Sequence, residues 1–314
     1  MIPYILLVVS FVLLAKGADF FIEGTSNIAQ FLRVSPLFIG LTIAAIGTSA
    51  PEAAVSISAS LTGVNGIAFG NVIGSNIANI CLAIGIAALI KPIHFEGSTK
   101  KIENPFMIFI TTLVLLFVLN FSRKAVTVIY VSRFEGILML ILFMCFVLYL
   151  YQMAKRDRCT QQPEEPKSSL LKNILLTILG GAGIAYGGHL AVQNASQIAS
   201  MWGVSDKVIG MSVVALGTSI PEIVTSIVAV IKGKVSIAVG NIVGSNIFNI
   251  LFVLGIASTI KPIKLGTEVI IDVVFCLAIA VLFFIFSRVL RNIGRLQGIF
   301  LIAIYVVYIY LLYK

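Results

Sequence analysis

Apolar runs long enough to cross a bilayer follow one another along this chain, separated by short polar and turn-forming stretches. A helix needs about twenty apolar residues to span the hydrocarbon core. On that measure the interruptions define ten segments, near 3–32, 35–62, 67–93, 104–121, 130–154, 170–202, 205–231, 236–263, 268–287 and 295–313. The expected fold class is therefore an all-α polytopic membrane protein. The first segment lacks a basic start and stays apolar well past the length of a signal core, so it is read as a retained span. One longer polar stretch, Lys155 to Lys167 with Pro163 and Pro166, breaks the pattern midway and leaves five spans on either side.

Polar residues also interrupt the spans themselves, and they do so twice in the same order. Gly47-Thr48-Ser49-Ala50-Pro51-Glu52 returns 170 residues later as Gly217-Thr218-Ser219-Ile220-Pro221-Glu222. Gly70-Asn71-Val72-Ile73-Gly74-Ser75-Asn76-Ile77-Ala78-Asn79 returns at the same offset as Gly240-Asn241-Ile242-Val243-Gly244-Ser245-Asn246-Ile247-Phe248-Asn249. Lys91-Pro92-Ile93 likewise maps onto Lys261-Pro262-Ile263. The chain reads as a duplicated unit: residues 1–154 as a first five-helix repeat, 155–169 as a linker and 170–314 as a second repeat. Five spans is an odd number, so the second repeat enters the membrane from the opposite side. Helix-breaking stretches at matching places in two inverted halves point to an ion site near the bilayer midplane.

Composition excludes a soluble globule: 59% of residues are hydrophobic, only 11% are charged, and the mean hydropathy is +1.07. The net charge of +9 is distributed unevenly. With the N-terminus outside, fourteen lysines and arginines fall at inner span ends and seven at outer ends, leaving Lys16 within the first span. This bias predicts a multi-pass protein of the cell membrane with both termini extracellular and a cytoplasmic linker. No basic helix or aromatic platform suggests nucleic acid. Cys81, Cys145, Cys159 and Cys276 are scattered without metal-type spacing and read as packing residues.

Among the thirteen acidic residues, only Glu52 and Glu222 fall mid-span in equivalent places, while Glu96, Glu103, Glu268 and Asp272 are assigned to loops or span ends. A charge at the bilayer centre costs roughly 3 kcal/mol on insertion scales, so it faces a cavity, a partner or a cation. No lysine or arginine accompanies the two glutamates away from the ends of the second, third, seventh and eighth spans, which leaves a cation. Pro51 and Pro221 lack an amide proton and free backbone oxygens in the preceding turn, where Gly47 and Gly217 permit unwinding. Thr48, Ser49 and Glu52, with Thr218, Ser219 and Glu222, then gather hydroxyl, carbonyl and carboxylate oxygens within one turn, the donors that hard cations take. In the second motif Asn71, Ser75 and Asn79 recur at four-residue spacing on one helical face, as do Asn241, Ser245 and Asn249. That face is expected to oppose the glutamates; its alternative role is interhelical hydrogen bonding beside the close approach allowed by Gly70, Gly74, Gly240 and Gly244.

At these residues the chain resembles the cation/Ca²⁺ exchanger superfamily, whose two alpha repeats carry G-T-S-x-P-E and G-N-x-x-G-S-N elements, and it looks most like the compact prokaryotic Na⁺/Ca²⁺ exchangers. The resemblance covers nearly the whole chain. It implies ten helices in two inverted-topology halves, with the first and sixth spans as sliding gate helices. It also implies a secondary antiporter that exchanges Ca²⁺ for Na⁺, three Na⁺ per Ca²⁺. Ca²⁺ would be held by Glu52, Glu222 and the carbonyls of Thr48 and Thr218. Na⁺ would share the carboxylates and use Ser49, Ser75, Ser219 and Ser245 with the carbonyls of Ala45 and Ala215. Where family members often pair an Asp with an Asn, both positions here are amides, Asn79 and Asn249, which leaves Ca²⁺/H⁺ or broader cation/proton exchange as the alternative.

Other chemistry finds little support in the residues. The two histidines, His94 and His189, form no constellation for an intramembrane hydrolase, so no enzyme activity is expected. No cofactor is expected beyond the transported Ca²⁺ and Na⁺, and no protein partner is required; the expected partners are inorganic cations and the lipid bilayer. Lys16 precedes Asp19 by three residues, which allows a local ion pair in the first span beside the plainer reading of gate-helix packing or interfacial polarity, and His189 occupies the position equivalent to Asp19.

Overall fold

The computed structural model describes residues 2–63, 65–119, 129–160, 168–203, 215–290 and 292–312. Because lipid offers the backbone no hydrogen-bond partners, apolar runs of this length satisfy themselves as helices. They form α1 (Ile2–Leu32), α2 (Pro36–Thr48), α3 (Ala50–Thr62), α4 (Gly66–Ile90), α5 (Thr99–Leu119), α6 (Arg133–Thr160) and α7 (Leu170–Met201). The short α8 (Ala215–Thr218) and α9 (Ile220–Ile231) follow, then α10 (Val235–Ile260), α11 (Val269–Val289) and α12 (Arg295–Leu312). Among the described residues, eight helices are long and apolar enough to cross a membrane, and the α2–α3 pair, bent by 48°, makes a ninth. The seventh expected span, 205–231, begins in residues 204–214, which lie outside the described residues, as do 161–167 of the expected linker.

Helix ends follow local chemistry. Ser35 caps α2 by accepting from Phe38 N at 3.2 Å, with Pro36 in the first turn, and Ser169 accepts from Lys172 N at 3.3 Å to start α7. Gly63 (φ 84°) and Gly233 (φ 73°) take the left-handed conformation at the ends of α3 and α9, where a side chain would be strained. Helix α6 continues through the basic stretch Lys155–Arg158 to Thr160, extending into the segment read as linker.

Glu52, Glu103, Glu222 and many serine, threonine and asparagine side chains are buried beside an apolar core, while many large apolar side chains lie exposed on the outside. Ile2, Ile5, Val8 and Val12 on α1, and Ile141, Met144 and Leu148 on α6, are exposed where lipid would meet them. The two helices carrying the second motif, α4 and α10, are central, and α10 is almost wholly buried. Helices α1 and α7 run against each other at backbone contact: a Cβ on Gly17 would lie 2.9 Å from Gly180 O, and one on Gly180 would lie 2.5 Å from Phe21 N. Only small residues allow this approach.

Two miniature strand pairs tie the halves together. Strand β1 (Ile93–His94) pairs antiparallel with β4 (Asn292–Ile293), and β2 (Ile129–Val131) pairs with β3 (Ile263–Leu265). The Lys-Pro-Ile repeats therefore lead into strands that join sequence-distant segments. Two carboxylates assigned to loops or span ends are sheltered instead. Glu103 is fully buried and accepts from Tyr149 OH, and Asp272 accepts from Tyr308 OH at 3.1 Å. In each half an acid near the start of the fourth span is thus bound to a tyrosine of the fifth, which pins that helix pair together.

Candidate functional site

The helix bearing each glutamate is interrupted one turn before it. In the first half the chain passes a π-helical turn, Gly40–Ala44, then the single turn Ala45–Thr48, and breaks at Ser49 (φ −85°, ψ 6°) before α3 begins. In the second half Ser219 (φ −87°, ψ −4°) separates α8 from α9 in the same way. Pro51 and Pro221 sit in the first turn of the following helix. Having no N–H, they leave the carbonyls of Gly47 and Gly217 without their helical donors. The sequence expectation of an opened turn holds at both places.

These breaks bring Glu52 and Glu222 into the interior, where both are fully shielded from solvent. The two carboxyl groups lie close enough to interact electrostatically, with Ser75 beside Glu52, and Thr48 and Ser49 beside Glu222. Ser49 Oγ donates to Glu222 Oε1 at 2.8 Å. Among the described residues, both oxygens of Glu52 and the second oxygen of Glu222 have no hydrogen-bond partner and neither acid forms a salt bridge. Uncompensated charge in such a place costs several kcal/mol, so these oxygens call for a cation or protons.

Other expected residues are buried in the same interior. Ser75, Ser219, Asn79 and Asn249 are completely buried, and among the described residues Ser75 Oγ, Ser219 Oγ, Asn79 Oδ1 and Asn249 Oδ1 also have no hydrogen-bond partner. Ser245 Oγ reaches Ala45 O at 3.5 Å, a carbonyl that also receives Ser49 N at 3.0 Å. Ala215 opens α8. The donor set is two carboxylates with hydroxyl, amide and carbonyl oxygens, all hard ligands suited to Ca²⁺ or Na⁺. Among the described residues there is no cluster of three or more His, Cys, Asp or Glu side chains of the kind that holds a resident metal.

The first asparagine of each motif takes the alternative role of the polar stripe, interhelical hydrogen bonding, and the threonine side chains join it. Thr48 Oγ1 donates to Asn241 Oδ1 at 3.1 Å, and Asn241 Nδ2 donates to Ser226 Oγ at 3.1 Å. In the mirror arrangement Thr218 Oγ1 donates to Asn71 Oδ1 at 3.0 Å, and Asn71 Nδ2 to Ser56 Oγ at 2.9 Å. Asn71 and Asn241 thus fasten one half's broken helix to the other's central helix, and the side-chain oxygens of Thr48 and Thr218 are engaged in that bond. Ser56 and Ser226, which complete it, carried no signal beyond their 170-residue relation. Asp19 pairs at long range and not with Lys16: Lys232 Nζ lies 2.6 Å from Asp19 Oδ1 and donates to Asp19 O at 2.9 Å.

A bundle whose interior holds paired, unneutralised carboxylates on two related broken helices has the architecture of an ion-translocating membrane protein. The chain belongs to the sodium/calcium exchanger protein family, whose sequence profile matches residues 2–152 and 172–314. It is 38% identical to CaxA of Alkalimonas amylolytica, provisionally designated an antiporter, over 100% of this chain and 99% of that protein. The sodium/calcium exchanger MaX1 of Methanosarcina acetivorans is 32% identical over 99% of each chain. The structure superposes on that of the sodium-calcium exchanger NCX_Mj soaked with 2.5 mM Na⁺ and 1 mM Sr²⁺ with a TM-score of 0.84 and 31% identity, covering 98% of each chain. Family and fold are those of transporters rather than enzymes.

Proposed function

We propose that the protein is a secondary antiporter that moves Ca²⁺ against Na⁺ by alternating access. Its working form would be ten transmembrane helices in two inverted five-helix halves, with a cytoplasmic linker and both termini outside the cell. The observation that carries this reading is the juxtaposition of Glu52 and Glu222, buried and, among the described residues, without a counter-charge, in an interior that also buries the unpartnered oxygens of Ser75, Ser219, Asn79 and Asn249. Two carboxylates are neutralised by one Ca²⁺ or two Na⁺, whereas the bare site would carry two charges through the occluded midplane. Return without a cation is therefore disfavoured, and the cycle exchanges rather than leaks. The name of MaX1 and the match to NCX_Mj support Na⁺ and Ca²⁺ as the exchanged ions.

Energetics favour three Na⁺ per Ca²⁺. At ~100 mV and a ~10-fold Na⁺ gradient, each entering Na⁺ supplies about 3.7 kcal/mol, and expelling Ca²⁺ against ~1,000-fold costs about 8.7. Two Na⁺ fall short and three suffice. The second reading, Ca²⁺/H⁺ or broader cation/proton exchange, draws on the carboxylates themselves, since a proton neutralises each as well as Na⁺ does. The deciding experiment is uptake of radiolabelled Ca²⁺ into proteoliposomes loaded with Na⁺, or given only a pH gradient, at clamped membrane potentials. Uptake that needs internal Na⁺ and rises with an inside-positive potential is expected. Uptake driven by protons and indifferent to Na⁺ selects the second reading.

A further inference from the structure

Four asparagines meet where α4 crosses α10, and their hydrogen bonds form a closed, two-fold pattern. Asn76 Nδ2 donates to the backbone carbonyl of Asn246 at 3.2 Å, and Asn246 Nδ2 donates to that of Asn76 at 3.4 Å. The side-chain oxygens of the same residues face the other way. Asn246 Oδ1 accepts from Asn79 Nδ2 at 3.0 Å, and Asn76 Oδ1 accepts from Asn249 Nδ2 at 3.3 Å. What remains unpartnered is Asn79 Oδ1 and Asn249 Oδ1, both completely buried.

We infer that Asn76 and Asn246 are positioning residues that hold the Asn79 and Asn249 amides with their carbonyl oxygens, not their N–H groups, turned to the transported cation. The inference rests on the cation-site reading of Glu52 and Glu222. A side-chain amide carries two donors at one end and an acceptor at the other, and only the acceptor end binds a cation. A backbone carbonyl cannot act as a donor, so the two carbonyls at the crossing fix which end of Asn76 and Asn246 points toward them. That choice sets their oxygens toward Asn79 and Asn249. Turning either of those amides over would set oxygen against oxygen between fully buried side chains. Two main-chain groups thereby determine the orientation of four side chains.

The surroundings place these oxygens at the site. Asn79 lies one helical turn after Ser75, which adjoins Glu52. Asn79 and Asn249 are also the first residues of two π-helical segments, Asn79–Ile84 and Asn249–Leu254. The first packs against α9, the helix of Glu222, and the second against α3, the helix of Glu52. Each half thus sets the segment that begins with its amide against the other half's carboxylate helix, at the kind of local helix irregularity that recurs at functional sites.

The test is a pair of double-mutant cycles in proteoliposomes, reading the Ca²⁺ and Na⁺ concentrations that give half-maximal exchange. Thermal stabilisation of the purified protein by Ca²⁺ is read in parallel. Asn246→Ala and Asn79→Ala should each raise the half-saturating concentrations by about tenfold, and the double variant should be no worse than Asn79→Ala alone. Asn246→Ala combined with Asn249→Ala should multiply instead, because Asn246 does not hold Asn249. Asn76 should show the reverse preference. If an alanine variant fails to purify as a monodisperse protein, Asn246→Ser and Asn76→Ser enter the same cycles, since their hydroxyls are too short to reach the opposing amides. Parental cation dependence in the Asn76 and Asn246 variants, or multiplication in both cycles, overturns the positioning role. Parental cation dependence in Glu52→Gln and Glu222→Gln overturns the underlying site instead, so the two failures are distinct.

Discussion

Ser49 Oγ donates to Glu222 Oε1 at 2.8 Å, linking the helix break of the first half to the carboxylate of the second across 173 residues of sequence. Among the described residues the mirror bond is absent: Ser219 Oγ has no hydrogen-bond partner and the Glu52 carboxylate accepts none, Asn71 Nδ2 reaching only the Glu52 backbone carbonyl at 3.3 Å. Helix packing is skewed the same way, since α1 lies along α9 whereas α7 makes no comparable contact with α3. Inverted halves that take turns in two arrangements would look unlike each other at any one moment, and such an exchange of arrangements is how repeat-built transporters open to each side.

Ser49→Ala therefore removes a hydrogen bond to a charged, buried acceptor, worth roughly 1.5–3 kcal/mol, or about a ten- to hundredfold change in an equilibrium. Its effect on half-saturating Ca²⁺ should be larger at one membrane face, and Ser219→Ala should show the opposite sidedness. Vesicles of known orientation, assayed for uptake and efflux, give both values. Equal effects at both faces would show that the Ser49 bond is indifferent to the direction of access.

Glu52→Gln and Glu222→Gln each delete one of the two charges that match a divalent ion while keeping nearly the same shape. Each should abolish Ca²⁺ exchange or reduce it at least ~100-fold, a loss of roughly 3 kcal/mol. The protein should still purify as a folded species, because a neutral amide is cheaper than a carboxylate to bury unpaired. Wild-type exchange in both variants would remove the central site.

Much of this site is legible in the sequence because the duplication repeats its signal. Gly-Thr-Ser-x-Pro-Glu states a break, a proline that frees a carbonyl, and an acid at one position, and the structure builds those features at Ser49 and Ser219. Pairing between the halves is not legible, since hydropathy and spacing record neighbours along a helix and not across a crossing. The Asn71–Thr218 and Asn241–Thr48 bonds, the asparagine clasp and the Lys232–Asp19 pair all join residues more than 140 apart. The strand pairs escape for another reason: runs of two or three residues carry no periodicity.

The Lys232–Asp19 pair ties the end of α9 to α1, and its counterparts at the equivalent positions, Thr62 and His189, cannot form an ion pair of this kind. Side-chain exposures of 29% and 39% make it a partly solvated pair worth about 0.5 kcal/mol, enough to shift a two-state population about twofold. Asp19→Asn should weaken the arrangement in which α1 lies on α9, and the exchanged pair Asp19→Lys with Lys232→Asp should restore it. Labelling rates of single cysteines at the two ends of α9 would report the shift. No change in either rate for Asp19→Asn would show that the pair does not bias access.

The proposed topology, with five spans per half, a cytoplasmic linker and both termini outside, can be tested directly. A cysteine introduced at Gln162 in a cysteine-free background should react with an impermeant reagent only from the cytoplasmic side, and one appended after Lys314 only from outside. Labelling of both from the same side would contradict the inverted arrangement.

Asn249→Asp probes the amides through pH. The substitution adds an ionisable group beside the site of Glu52 and Glu222, and it removes the Nδ2 donor that Asn76 Oδ1 accepts at 3.3 Å. In the parent, protons compete with cations only at the two glutamates among these groups, because amides do not titrate in the working range. The variant gains a third competitor, so Ca²⁺ exchange should fall more steeply as the medium is acidified from about pH 8 to about pH 6, with an added protonation step in the profile. Replacing Asn249 with serine separates the two consequences: it also loses the bond to Asn76 but adds no titrating group. Asn249→Ser should therefore shift half-saturating Ca²⁺ while keeping the parental pH profile. Identical profiles for parent and Asn249→Asp, with the variant folded, would mean that Asn249 Oδ1 does not face the cation and that its helix face serves packing alone.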